Sequence, residues 1–580
     1  MNQLIFFSSL QKQKMIFMKK TGTFILMLGI VSSFYQCSTV KNETNMNASC
    51  DSIIQEFVAK VKPLYKEMSL AYWNASITGN EADYQKSLDA EMAVNKILAD
   101  TSFFARVKKA YNSKDVTDTL VKRQIERIYS YMLPKQVDST LTRQISTLQN
   151  QIEKKFSVFR ATIDRKKYTD NEIEEILRTS TDSKKLEKAW VSVKELGPVV
   201  ADDIRNLAKL RNKVAQSLGY TNYYEMSLLL DEQTPQDIDK IFDELDSLTH
   251  QSFVNVKNEM DEKLAARCKV KKEDLMPWHY QNRFFQEAPA IYNVDLDSYY
   301  KNQDIPKLTK DFYASIGMDI TDLLQRSDLF EKEGKNQHAY CTDIDNEGDV
   351  RVLCNIKPNF NWMGTMLHEF GHSVYDKYIP TSVPYILREP AHTFTTEAIA
   401  MMMERNASNS SWMKAMNVID DKEVEKVKTE GYKMLRLQQL VFSRWVQVMY
   451  NFEKGLYSNP DQDLNKLWWT LVEKYQMIKC PTGRNMPDWA TKIHVATSPC
   501  YYHNYMLGEM LASQINYYMV KNILKSDDIK NPNYVGNREI GQYLIEKVFK
   551  PGRTLYWNDM IENATGEKLT ANYYALQFVE

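Results

Sequence analysis

A mostly α-helical chain is what the sequence predicts, on two grounds. Glycine supplies only 18 of 580 residues, less than half the usual share of about 7 %. Long runs with apolar residues at helical spacing also recur, among them DSIIQEFVAKVKPLYKEM (51–68), QISTLQNQIEKKF (144–156) and PQDIDKIFDELDSLTHQSF (235–253). With 43 % apolar residues the chain can bury a large core. Its formal net charge of −1 carries no footprint of nucleic acid or of an acidic partner. No fixed-period repeat, low-complexity block or flexible linker divides it, so one large helical body is the simplest architecture.

At the N-terminus Lys19 and Lys20 precede TGTFILMLGIVSS, an apolar stretch shorter than the ~20 residues a membrane-spanning helix needs. This reads as an export signal, and a start at Met18 gives it the usual basic opening. Cys37 in FYQCSTV, followed by the polar KNETNMN, resembles a bacterial lipoprotein processing site with Cys37 as the acylated residue. Gln36 departs from the small residue usual there, and a simple cleaved signal or an uncleaved anchor remains open. All three place the protein outside the cytoplasm, in the periplasm or cell envelope. The expected organisation is a signal at 1–37, a polar tether at 38–50 and one large domain at 51–580.

Seven cysteines in so long a chain are no disulfide framework. HAYCTDI and VRVLCNI read as two strands joined by the turn DNEGD. Cys341 and Cys354 lie on them, either bridged across the hairpin or as two small buried thiols.

The stretch WMGTMLHEFGH (362–372) holds two of the eight histidines four positions apart. On a helix such residues share a face, so His368 and His372 can aim both imidazoles at one metal ion. Met363, Met366, Leu367, Phe370 and Val374 recur at helical spacing and Pro380 ends the run. Glu369 falls on the flank of the face, where it suits a general base rather than a ligand. The plainer reading is a helix face with two satisfied histidines. A catalytic zinc takes a third protein ligand and leaves one position open. Glu397 is the candidate, in the first turn of a second helix TTEAIAMMMER with Thr395 or Thr396 as N-cap, although a glutamate there also suits the helix dipole. Glu404, two turns further on, can orient a ligand histidine or stand equally as a solvated charge at the helix end. One zinc per chain is expected.

HEFGH followed after 25 residues by the glutamate of TEAIA resembles the angiotensin-converting-enzyme family of peptidases. It is also similar to the thimet oligopeptidase and oligoendopeptidase F group. The likeness is densest from about residue 338 to 510 and includes LRNKVAQSLGYTNYYEMSL and PWHYQNRFFQEAP. The resemblance implies an ellipsoidal helical body of two lobes split by a deep substrate channel, with a small hairpin or sheet beside the zinc site. It also implies His368, His372 and Glu397 as zinc ligands and Glu369 as base.

Further roles carry over from the same families. His338, thirty positions before His368 in NQHAYCTDI, stands where they have a substrate-binding histidine. The strand after it, with Ala339, resembles an edge that pairs with substrate backbone. In KIHVATSPCYYHNYMLGEM, His494 and Tyr505 resemble a pair of oxyanion donors, with Tyr501 an open alternative. Ser498 and Pro499 read as the N-cap and first residue of a helix presenting both tyrosines on one face. Lys492, Tyr501 and Gln281 resemble residues that hold a substrate's terminal carboxylate, Gln281 shifted by one position from the family pattern. The implied function is zinc-dependent hydrolysis of small peptides by a monomer. Dipeptidyl carboxypeptidase action is favoured, and internal cleavage or an inactive peptide-binding relative stand as alternatives.

Overall fold

The computed structural model describes residues 32–292 and 294–580, with side chains from Met46 onward. It is 68 % helix and 3 % strand, so sheet serves only as local bracing. Three helices, Ser32–Thr78, Pro235–Cys268 and Asp421–Ser458, set the length of the body. The run 51–68 lies within the first of these, 144–156 within the helix Ser139–Val158, and 235–253 opens the helix Pro235–Cys268. That last helix starts where local chemistry dictates. Pro235 takes the first position, where no N–H is needed, and the Thr234 hydroxyl accepts the Asp237 N–H at 3.1 Å. One apolar cluster runs from Cys50 to Phe578.

The apolar signal segment lies outside the described residues. The stretch expected as a tether, 38–50, is instead helical within Ser32–Thr78. No proline or glycine interrupts it, and Cys50, Ile53, Ile54 and Phe57 bury a stripe that holds the helix on the core. Cys37 falls in the backbone of this helix, ahead of the described side chains. Among the described residues no helix is long and apolar enough to cross a membrane.

The expected hairpin pairs Tyr340–Asp343 with Val350–Leu353 antiparallel, Cys341 facing Val352. That register sets Cys341 and Cys354 diagonally, and both are free thiols. A second hairpin that the sequence reading did not foresee pairs Ala161–Ile163 with Lys166–Tyr168. Its two-residue turn, Asp164 and Arg165, has φ of 49° and 70°, the geometry that matches strand twist and is usually signalled by glycine.

Three helices enclose the site: the motif helix Phe360–Lys377, the glutamate helix Thr393–Glu404 and the tyrosine helix His503–Asn522. They pack closely at two glycines. A Cβ on Gly371 would stand 2.7 Å from the Ala400 Cα, and one on Gly508 would stand 3.3 Å from the Glu397 Cβ. Any side chain at Gly371 would push the first two helices apart.

Candidate metal centre

The motif helix is capped by Asn359, whose side chain accepts the Trp362 N–H at 2.8 Å. Met363, Met366, Leu367, Phe370 and Val374 are fully buried, which turns the histidine face toward the glutamate helix. His368 Nε2 and His372 Nε2 lie 3.3 Å apart, and Glu397 Oε2 lies 3.7 Å from the first and 3.9 Å from the second. Donors about 2.0–2.1 Å from a tetrahedral zinc stand about 3.3 Å from one another, so the cluster fits the ion with small adjustments.

The outward ring nitrogens are held in turn. His368 Nδ1 lies 2.9 Å from Glu404 Oε2 and His372 Nδ1 lies 2.7 Å from Thr396 Oγ1. With a proton on each Nδ1, both Nε2 lone pairs face the common point. Glu404 was anticipated in this place; Thr396, which supports His372, was not. The glutamate helix begins earlier than expected. His392 is its N-cap, accepting the Phe394 N–H, so Glu397 falls in the second turn. The Thr395 hydroxyl accepts the His392 N–H at 3.1 Å in return, and Thr396 is turned to His372 instead.

Electrostatics favour a cation here. Burial alone would lower the His368 pKa, but the hydrogen bond and charge of Glu404, followed by Glu369 and Glu397, raise it to about 10. Glu369 is pushed up to about 7, chiefly by burial, with His368 opposing. Glu397 is raised by the same cause. Three carboxylates thus crowd two imidazoles, an excess that a divalent cation balances.

The hairpin packs on the motif helix beside Glu369: Cys341 Sγ lies 3.3 Å from Ser373 Oγ, and the Ser373 hydroxyl donates to the Glu369 carbonyl oxygen at 2.9 Å. Strand Tyr340–Asp343 is paired on one side only. Ala339, two residues before Cys341, falls on the same outward edge. His338 is exposed just ahead of the strand, its N–H donating to Asn336 Oδ1 at 3.0 Å.

Across the site the helix start differs from expectation. Ser498 ends a short helix, His494–Thr497, Cys500 takes a left-handed φ of 56°, and the tyrosine helix opens only at His503. The Cys500 N–H is drawn to the buried Glu453 carboxylate at 2.8 Å, which turns the chain before Ser498 and Pro499 can start a helix. Tyr501 therefore precedes the helix and Tyr505 lies in its first turn, yet their rings meet edge-on at 5.3 Å. Burial and then the nearby Glu397 push the Tyr505 phenol up to about 12. Tyr501 lines a cavity of about 340 Å³ that also reaches His392 and Thr396. The His494 ring meets Tyr502 edge-on at 5.3 Å, its Nδ1 is buried without a partner, and burial followed by Lys492 pushes its pKa down to about 4.

Lys492 is 8 % exposed. Its Nζ donates to Gln286 Oε1 at 2.6 Å and lies over the rings of Phe284, Trp445 and Tyr502 at 5.5, 5.4 and 5.2 Å. Among the described residues no carboxylate forms an ion pair with it. Burial, then Arg283, lowers its pKa to about 8. Gln281 is not the glutamine beside it. The chain turns through a left-handed Gln281 (φ 62°), whose Oε1 accepts the Ala290 N–H at 3.0 Å, and Gln286 takes the place five residues later. Nothing in the local pattern of PWHYQNRFFQEAP distinguishes the two.

A histidine pair and a glutamate from the next helix that meet at one point, with Glu369 buried beside them, form the arrangement the sequence resemblance implied. The family described as angiotensin-converting enzyme, peptidase family M2, matches residues 44–578. The chain belongs to that family. It is 21 % identical over 601 aligned positions to an angiotensin-converting enzyme of Haematobia irritans exigua, covering 96 % of both chains. It is 19 % identical over 570 positions to the enzyme of Mus musculus, covering 90 % of this chain and 41 % of that one. The match to the enzyme of Rattus norvegicus has the same identity over 564 positions and again spans 41 % of the relative. The chain therefore spans about two fifths of these mammalian relatives and nearly all of the fly protein.

Proposed function

We propose that this family member is a zinc peptidase that removes dipeptides from the C-terminus of small peptides. The observation that carries the reading is the buried Lys492 ammonium, held by an amide and aromatic faces and lacking a carboxylate of its own. Through Tyr502 and Tyr505, whose rings are 5.4 Å apart, it connects to Glu397. A peptide laid along the strand edge beside Glu369 can offer its terminal carboxylate to Lys492 and Gln286.

His368, His372 and Glu397 would hold a zinc ion, which would supply a Lewis acid and make a water at the site easier to deprotonate. Glu369 removes the proton from the attacking water and returns it to the leaving amine. Neutral His494 and Tyr505 donate to the oxyanion as it forms. Strand pairing reads main chain, so side-chain tolerance is broad.

Internal cleavage of short peptides is the alternative, favoured by the HEFGH wording shared with the oligopeptidases. The test is one peptide with a free and an amidated C-terminus, its products mapped by mass spectrometry with and without a chelator. The reading expects dipeptide products, a strong preference for the free terminus and loss of cleavage with chelator. Equal rates, or first products longer than dipeptides, overturn the exopeptidase assignment.

A further inference from the structure

Asp231, Glu232 and Gln233 follow the helix Tyr223–Leu230, and the three consecutive side chains reach three different parts of the molecule. Asp231 Oδ2 lies 3.0 Å from His392 Nε2, and the Asp231 carbonyl oxygen lies 2.9 Å from the same nitrogen. His392 is fully buried and takes the Phe394 N–H on Nδ1, so its proton sits on Nε2 and points at Asp231. That contact ties the start of the glutamate helix to residue 231.

Gln233 is 1 % exposed and uses both ends of its amide. Its Oε1 lies 2.7 Å from His503 Nε2, and its Nε2 donates to Asn504 Oδ1 at 2.7 Å. His503 and Asn504 are buried and open the helix whose third residue is Tyr505. Burial, then His392, pushes the His503 pKa down to about 3, so the contact is between neutral groups and depends on geometry. Between the two, Glu232 takes a left-handed φ of 59°, which lets its neighbours diverge. Its carboxylate accepts from Arg123 at 2.5 and 2.8 Å and from Arg127 at 3.2 Å, anchoring the corner to the helix Thr119–Met132.

We propose that Gln233 is a positioning residue for Tyr505: it holds the first turn of the tyrosine helix in register with a corner that Asp231 and His392 tie to the helix of Glu397. The inference rests on the peptidase reading above and on Tyr505 as an oxyanion donor. Gln233 acts only through His503 and Asn504. Without it, His503 Nε2–H and Asn504 Oδ1 are two buried polar groups with no partner, and the first turn must shift to satisfy them.

The test compares Gln233→Met with Gln233→Glu in the zinc-loaded full chain. Gln233→Met keeps the length of the side chain and removes both hydrogen bonds. It is expected to lower kcat by about 10- to 100-fold, as a displacement of up to about 1 Å does, with KM within roughly threefold and zinc content unchanged. Affinity for a phosphinic peptide, which mimics the tetrahedral species, falls by the same factor as kcat. Gln233→Glu retains an acceptor for His503, and the Asn504 amide can turn to donate to it, so most of both quantities returns. Asn504→Ser breaks one of the two bonds and is expected to fall between wild type and Gln233→Met; it also serves where Gln233→Met does not fold. The proposal is overturned by kcat and analogue affinity within twofold of wild type in both disruptive variants, or by equal losses in Gln233→Glu. Wild-type protein that neither cleaves peptides nor binds the analogue overturns the peptidase reading instead.

Discussion

The two walls of the site are built on different principles. On one, His368, His372, Glu397 and Glu404 project from two regular helices, and their spacing along the chain already dictates which atoms meet. On the other, Lys492, His494, Tyr501 and Tyr505 come from short helical turns, a left-handed Cys500 and the first turn of a helix. Their positions depend on Gln286, Glu453 and Gln233 from distant segments. Helix geometry can bring a candidate metal cluster together from local periodicity, whereas Lys492, His494, Tyr501 and Tyr505 are placed by long-range contacts.

The sharpest break between the walls is chemical. Glu369→Gln leaves all three ligands in place and removes the proton acceptor, so turnover should fall by about 10³-fold while metal analysis still finds one zinc per chain. Cleavage near the wild-type rate would deny Glu369 its role; loss of zinc would mean that it supports the ligands. On the opposite wall, Tyr505→Phe is expected to cost about 10²-fold in kcat, the usual toll of losing one oxyanion donor, with KM little changed. Tyr501→Phe should act mainly on KM. Steady-state kinetics on both variants separates the two tyrosines, and the reverse ranking would exchange their assignments.

A smaller effect sharpens the comparison through charge. Lys492→Met should lower kcat/KM about 10- to 100-fold for a peptide with a free C-terminus and leave its amidated form nearly unaffected. The pH dependence has a definite sign. Burial holds the Lys492 pKa down to about 8, so the ammonium is present below that pH and lost as pH rises through it. kcat/KM for the free-terminus peptide should fall on the alkaline side, and the amidated peptide should lack that limb. Identical profiles would remove the lysine from carboxylate binding.

The smallest effect concerns chloride. The converting-enzyme relatives that this chain resembles use an arginine just before the key tyrosine to help bind chloride. Here Asn504 precedes Tyr505, and its carbonyl is already satisfied by Gln233. Activation by chloride at constant ionic strength should stay under roughly twofold, since a neutral amide stands in the arginine's place before the tyrosine. Strong saturable activation would place an anion site on this wall after all.

Much of the first wall was legible because its signals are local. The H-E-x-x-H spacing, the apolar positions around it and the glutamate 25 residues later need only helix periodicity to be read. The second wall was legible in residue type but not in geometry. Ser498 and Pro499 carry the marks of a helix start, yet the Glu453 carboxylate, 47 residues away in sequence, captures the Cys500 N–H and delays the helix to His503. Gln281 and Gln286 are equivalent in local sequence, and only the turn at Gln281 decides which one meets Lys492.

Helical character, the histidine face and the candidate ligands His368, His372 and Glu397 follow from sequence alone, since they rest on a 3.6-residue period and the chemistry of single side chains. Which glutamine faces Lys492, where the tyrosine helix begins and how Gln233 ties it to the glutamate helix follow only from the folded chain. Each is a choice among locally equivalent groups, settled by a buried partner far away in sequence that must have its hydrogen bonds satisfied.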